Sequence, residues 1–141
     1  MIKQITISLP NKPGKMSEIS DLMGSEGLNI RAIQLNEQGD KGILRYIVED
    51  PEKAANLLRS RGHDFKMDNV LAAVVPDHPG GLGAVLKPLR DNQINIRYLY
   101  PAIGRHGLNA ILILGVDKSK EAVRVLKQNY IQLLGEEVYK L

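Results

Sequence analysis

The feature that most limits how this chain can fold is an internal repeat. Pro10-Asn11-Lys12-Pro13-Gly14-Lys15-Met16 returns 66 residues later as Pro76-Asp77-His78-Pro79-Gly80-Gly81-Leu82. The same offset carries Asn29-Ile30-Arg31 onto Asn95-Ile96-Arg97. Past the hairpin that follows, the register is expected to slip by one, pairing Asp50 with Asp117 and Ala55 with Ala122. Self-similarity at a fixed period marks a repeated supersecondary unit. The chain is therefore read as two copies, 1–68 and 69–141, with no flexible linker between them.

Periodicity gives each copy the same order of elements. Ile5, Ile7 and Leu9 alternate with polar residues, as a half-buried strand does. Met16, Ile19, Leu22 and Met23 follow at helical spacing, and Gly27 closes that helix. Asn29–Asn36 and Ile43–Val48 read as hairpin strands. Asp50-Pro51 opens a second helix as N-cap and first helical residue, with Ala54, Leu57 and Leu58 inward and Gly62 at its end. Phe65–Met67 is a short fourth strand. In the second copy Val70–Val75 is a strand and Leu82, Val85, Leu86 and Leu89 form a helix face. Ile94–Ile103 and Leu108–Val116 form the hairpin, Ser119–Asn129 the last helix, and 131–139 holds the last strand. Pro88 stands inside the third helix, where a kink or an early end is expected. The order β-α-β-β-α-β with right-handed crossovers predicts an α+β chain of two ferredoxin-like units, each an antiparallel sheet with its helices on one face. So small a unit is marginal by itself, which predicts that the two copies pair and share a sheet, with exposed edge strands or bare sheet faces as the natural joining surfaces.

Composition removes whole classes of function. With 43% hydrophobic and 25% charged residues the chain is not disordered. It has no cysteine, so thiolate metal sites, cysteine nucleophiles and disulfides are excluded. None of the three histidines has a second ligand at metal-binding spacing, and no cofactor is expected. No nucleophile elbow, dinucleotide fingerprint or Walker lysine is present. A net charge of +3 and six aromatic residues, none of them Trp, argue against a nucleic-acid partner. The longest strongly apolar stretch, Ala110–Leu114, is far too short to span a membrane, and Met1–Ile5 alternates too early for a signal peptide. The cytoplasm is the expected setting.

What remains are two loops and two asparagines. Asn11–Gly14 and Asp77–Gly80 lead from a strand into a helix N-terminus, which offers unpaired N–H groups and partial positive charge to a carboxylate. Gly80, Gly81 and Gly83 let a ligand approach the second loop closely, and Asp77 could meet an α-ammonium. The second loop is therefore expected to be the stronger cradle. The plain alternative is a strand-to-helix turn. Asn29 and Asn95 each begin the second strand of a copy, where an Asn side chain suits an amino acid's carboxylate and ammonium together, or simply caps a turn.

The pattern of strand, (Asn/Asp)-x-Pro-Gly-x-(Met/Leu), helix and Asn-Ile at the next strand resembles the ACT-domain family of small-molecule-sensing regulatory modules. Both copies match, over essentially the whole chain. The resemblance implies a stand-alone, non-catalytic tandem protein, its two units packed side by side into a shared antiparallel sheet with the helices on one face, that binds an amino acid between its copies. Asn11, Pro13, Gly14 and Met16 would face Asn95 and Ile96. Asp77, Pro79, Gly80 and Leu82 would face Asn29 and Ile30, and the loop's own chemistry adds Gly81 and His78 as ligand-binding candidates, His78 as a donor or acceptor. A homodimer is expected, since sheet faces such as Leu112 and Leu114 on one side and Ile111 and Ile113 on the other would seek cover. A metabolic enzyme is the further partner in view. The rival reading is an interaction module that docks on such an enzyme with no ligand of its own.

Overall fold

The computed structural model describes residues 1–141. The chain forms two compact units, Lys3–Asp68 and Asn69–Leu141, the latter joined by Met1–Ile2.

The first unit comprises β1 (Ile2–Pro10), α1 (Lys15–Ser25), β2 (Ile30–Gln38), β3 (Lys41–Val48), α2 (Pro51–Ser60) and the first residues of β4 (Lys66–Val75). The strands run in the order β2-β3-β1-β4, with β1 and β2 antiparallel to β3. Alternation sends Ile5, Ile7 and Leu9 of β1 and Leu44, Tyr46 and Val48 of β3 to one side. There they meet Ile19 and Met23 of α1 and Ala54 and Leu58 of α2. Both helices thus cover the same face. Tyr46 is wholly buried, its hydroxyl placed 3.9 Å from Met23 Sδ, and burial pushes the phenol far above its ordinary pKa. Asp50 caps α2, its carboxylate accepting from the Lys53 N–H at 3.1 Å, with Pro51 in the first turn as expected.

The second unit repeats the plan. The C-terminal part of β4 is followed by α3 (Gly81–Asp91), β5 (Ile96–Pro101), β6 (Ala110–Val116), α4 (Ser119–Gln128) and β7 (Leu133–Leu134), and a 3-10 turn, Glu136–Lys140, closes the chain. The strand order is β5-β6-β4-β7, all pairs antiparallel. Leu71, Ala73, Val75, Leu112, Leu114 and Val116 pack against Val85, Leu89, Ala122, Val125 and Leu126 of the two helices. The chain is α+β, built of two ferredoxin-like units.

Several expectations are corrected. The short strand 65–67 and the strand 70–75 are one unbroken strand, β4, because extended pairing carries through Asp68 and Asn69 despite their turn preference. The register slip is two residues, not one. Ala54 and Leu58 occupy in α2 the core places of Ala122 and Leu126 in α4, and Leu44 in β3 that of Leu112 in β6. The added residues lie in the hairpin, two residues long at Gly39-Asp40 and eight long at 102–109. Pro88 does not end α3. Its lost hydrogen bond to Ala84 is a local defect, and the helix runs three residues further. Leu82 faces outward, 47% exposed, whereas Met16 at the matching place packs against its core. Ile111, Leu112, Ile113 and Leu114 are all buried within the single chain, so no open apolar face of this sheet calls for a second copy.

All four helices end alike. The N–H of Leu28, His63, Ile94 and Ile131 bonds the carbonyl of Met23, Leu58, Leu89 and Leu126 respectively, at 2.9–3.0 Å. This is the Schellman closure, which needs a left-handed residue one position earlier. The first unit supplies glycine there, Gly27 (φ 69°) and Gly62 (φ 74°). The second supplies Gln93 (φ 56°) and Tyr130 (φ 60°). A side chain in this region costs about 1–2 kcal/mol, and Tyr130, 96% exposed, has almost no packing to set against it. Tyr130→Gly is expected to stabilise the protein by about 0.5–1 kcal/mol, after the loss from a more flexible unfolded chain. A urea midpoint that falls would contradict this.

Candidate functional site

Each strand-to-helix loop is built on a left-handed glycine. Gly14 (φ 88°) and Gly80 (φ 86°) stand at the N-cap positions of α1 and α3, and neither helix has a side-chain cap. Glycine at these two points is required by the backbone itself. The first helical N–H groups, of Lys15 and Gly81, turn back to the Lys12 and His78 carbonyls at 3.4 and 3.0 Å. The next N–H groups of the first turn have no side-chain cap, which leaves a place for an anion.

The loops are tied to the neighbouring hairpin by different chemistry. Asn11 Nδ2 donates to Glu37 Oε1 at 2.9 Å, and the Asn11 N–H donates to the Asp40 carbonyl at 2.9 Å. In the second unit Arg105 Nη1 donates to Asp77 Oδ2 at 3.0 Å and to the Leu108 carbonyl at 3.3 Å. Asp77 already has a cationic partner, so its charge is not freely available to an ammonium group. His78 Nδ1 lies 2.9 Å from the Pro79 carbonyl, within the loop. Gly81 is buried, and a Cβ there would stand 2.0 Å from the Pro76 carbonyl oxygen. The space that its missing side chain leaves is filled by the chain's own backbone, not opened to a ligand. Gly80 and Gly83 meet no such backbone obstruction. Two supports for preferring the second loop thus fall away. Glu37 and Arg105 are parts of the loop environment that the sequence reading missed, because their contacts depend on the hairpin that folds back beside each loop.

Asn29 and Asn95 occupy matching places. The Asn29 N–H donates to Glu49 Oε1 at 2.9 Å, and its carbonyl accepts from the Glu49 N–H at 3.0 Å. Asn95 makes the same exchange with Asp117, at 3.0 and 3.2 Å. The backbone of each asparagine is fixed by an acidic residue at the end of the partner strand, and the exposed side chain has no partner within the chain. Arg31 adds an ion pair to Glu49 at 3.5 Å. Ile30 and Ile96 are half-buried against their cores.

Within one unit the two sets of residues do not meet. Pro10 pairs with Lys41 at one end of β3, while Ile30 pairs with Val48 at the other. Seven residues of strand separate those ends, about 23 Å at 3.3 Å per residue. Asn11–Met16 and Asn29–Ile30 therefore cannot hold one small molecule between them, and the same reasoning applies to Asp77–Leu82 and Asn95–Ile96.

The family model described as an ACT domain pair matches residues 1–140. A crystal structure of a protein from Bacteroides thetaiotaomicron is similar at TM-score 0.91 and 31% identity, over 99% of this chain and 96% of that one. The ligand-free regulatory subunit of aspartate kinase from Thermus thermophilus has the same fold at TM-score 0.64 and 15% identity, over 91% of both chains. The corresponding subunit from Thermus flavus gives TM-score 0.61 at 14% identity, over 91% and 92%. Comparison with curated proteins gives no match. With the family model covering all but the last residue, and both copies carrying the Pro-Gly loop at a helix start, the chain belongs to the ACT domain pair family.

Proposed function

We propose that this chain is a non-catalytic regulatory protein that binds an amino acid and passes its presence to a metabolic enzyme. One observation carries the reading: in both units a left-handed glycine starts a helix whose first turn has no side-chain cap. A carboxylate of a free amino acid suits those N–H groups. Asn11, Pro13, Gly14 and Met16 would form one cradle, and Asp77, His78, Pro79, Gly80 and Leu82 the other. Asn29 and Asn95, with Ile30 and Ile96, would supply polar and apolar contacts from the opposite copy, since the loop of the same unit is a strand length away. Aspartate kinase regulatory subunits of the same fold support a partner enzyme by analogy alone. Assembly as a homodimer rests on the family likeness.

A ligand that binds only the folded state stabilises it by RT ln(1 + [L]/Kd), about 2.7 kcal/mol at one hundred times Kd. A thermal-shift screen of the twenty amino acids is therefore expected to give one or a few clear rises. Asn11→Ala and Asp77→Ala, titrated by calorimetry, then report which loop holds the ligand. If no amino acid moves the melting point, the protein is a docking module instead.

A further inference from the structure

Three loops of the second unit leave its sheet at one end, and strand register sets that end. Val75, the last residue of β4, pairs with Ala110, the first of β6, and the Val74 N–H donates to the Gln132 carbonyl at 2.9 Å. The loop 76–80, the hairpin 102–109 and the turn 129–132 therefore lie together. Four strands at about 4.8 Å spacing are about 15 Å across, so the three loops share one small area. Large apolar side chains stand out from it. Ile103, Leu108 and Tyr130 are 68, 88 and 96% exposed, and Leu82 in the first turn of α3 is half exposed.

The matching end of the first unit is built the other way. Its segments 10–16, 39–40 and 61–65 hold Lys12, Lys15, Asp40, Arg61 and Asp64, and none of the exposed large apolar residues. Met16 turns into the core where Leu82 turns out, and Gly62 stands where Tyr130 does. In the second unit three separate stretches of sequence have each placed an exposed apolar side chain at this end. Tyr130 does so in a left-handed conformation that glycine would adopt without strain. A single exposed leucine needs no explanation, but four such residues at one end, one of them strained, do.

Charge and size indicate what covers them. The three loops carry one acid and one base, Asp77 and Arg105, already paired at 3.0 Å. Such a surface meets no like charge on a copy of itself, whereas the charged end of the first unit offers it no apolar counterpart. Large side chains present roughly 150–200 Å² each, so the four expose on the order of 500 Å². With the loop backbone between them this approaches the about 800 Å² per partner of a standard interface. A patch that occurs once per chain and suits itself closes at two copies.

We propose that the protein dimerises end to end, the loop end of the second unit in one copy packing against the same end in another. This rests on the homodimer of the reading above and gives it a surface. Leu108, Ile103 and Tyr130 form the apolar centre, with Leu82 beside them and the Asp77–Arg105 pair as a neutral polar neighbour.

The test begins with sedimentation equilibrium of the full chain between roughly 1 and 200 µM, where a reversible monomer–dimer equilibrium is expected for an interface of this size. Ile103→Asp together with Leu108→Asp should raise the dissociation constant about a hundredfold. Both positions are exposed, so the melting point of the dilute chain is kept. Leu35→Asp, on the edge strand β2, should leave the dimer unchanged. Tyr130→Gly should weaken the dimer about tenfold, and the stability gain expected of it belongs to the dilute chain. The chain has no cysteine, so single spin labels can be placed through Gln128→Cys or Lys120→Cys, about 12 Å apart along α4. Across the dimer the distance between the two Gln128→Cys labels should be the shorter. A monomer at every concentration overturns the homodimer reading and this surface together. A dimer that survives the Asp double variant, that is lost with Leu35→Asp, or whose Gln128→Cys distance equals or exceeds its Lys120→Cys distance overturns the surface alone.

Discussion

Gly81→Ala is expected to destabilise the protein by about 3 kcal/mol, a fall of roughly 10 °C in melting temperature for a chain of this size. Two effects compete at this residue. Glycine in a helix costs about 0.5–1 kcal/mol relative to alanine, so propensity alone predicts a gain. Against that, the new Cβ would sit 2.0 Å from the Pro76 carbonyl oxygen and 3.0 Å from its carbonyl carbon. The obstacle is backbone, which cannot rotate away, so the loop or the start of α3 must move by an ångström or more. The clash outweighs the propensity. Gly80→Ala provides a separate comparison, because its Cβ meets nothing and its cost is that of a left-handed alanine alone, about 1–2 kcal/mol. A melting temperature for Gly81→Ala at or above that of the native chain would show that the Pro76 loop is not held as described. Chemical denaturation of both variants checks the ranking.

Gly115→Ala should cost about 2 kcal/mol, and the cost should depend on Tyr98. Gly115 pairs across the hairpin with Tyr98, and a Cβ there would enter the phenol ring at 2.2 Å. In the first unit the same cross-strand pair is Ala32 and Ile47, with the large residue on the other strand. The two units thus keep the shared volume and exchange which strand supplies it. Tyr98→Ala alone should also destabilise, by leaving the glycine without cover. The double change Tyr98→Ala with Gly115→Ile reproduces the first unit's pair and should cost less than the sum of Tyr98→Ala and Gly115→Ile measured singly, by about 1–3 kcal/mol of coupling. Additive costs would mean that the ring does not cover the glycine.

Much of the fold was legible because its signals are local. The alternation of Ile5, Ile7 and Leu9 places a strand face, and Asp50-Pro51 marks a helix start that the capping bond to Lys53 bears out. Gly27 and Gly62 announce helix ends through a backbone need that only glycine meets cheaply. The same ends in the second unit were less visible, because Gln93 and Tyr130 accept that conformation at a cost that the surrounding helix closure overrides. Leu82 misled for a related reason: helical spacing identifies a possible face but does not say whether a neighbour reaches it.

The sequence by itself determined the repeat, the βαββαβ order and the two Pro-Gly loops, because each rests on residue spacing and on the restricted backbone of proline and glycine. Only the tertiary structure decided what surrounds those loops. The hairpin's added residues bring Arg105 onto Asp77 where the first unit has Glu37 on Asn11. The sheet-face groove lined by Thr6, Ser8, Ile43, Arg45 and Lys66 was likewise invisible in one dimension, since these residues lie on separate strands. Side chains far apart in the chain become neighbours through strand register, and register is fixed by burying Leu44 and Tyr46 against the helices.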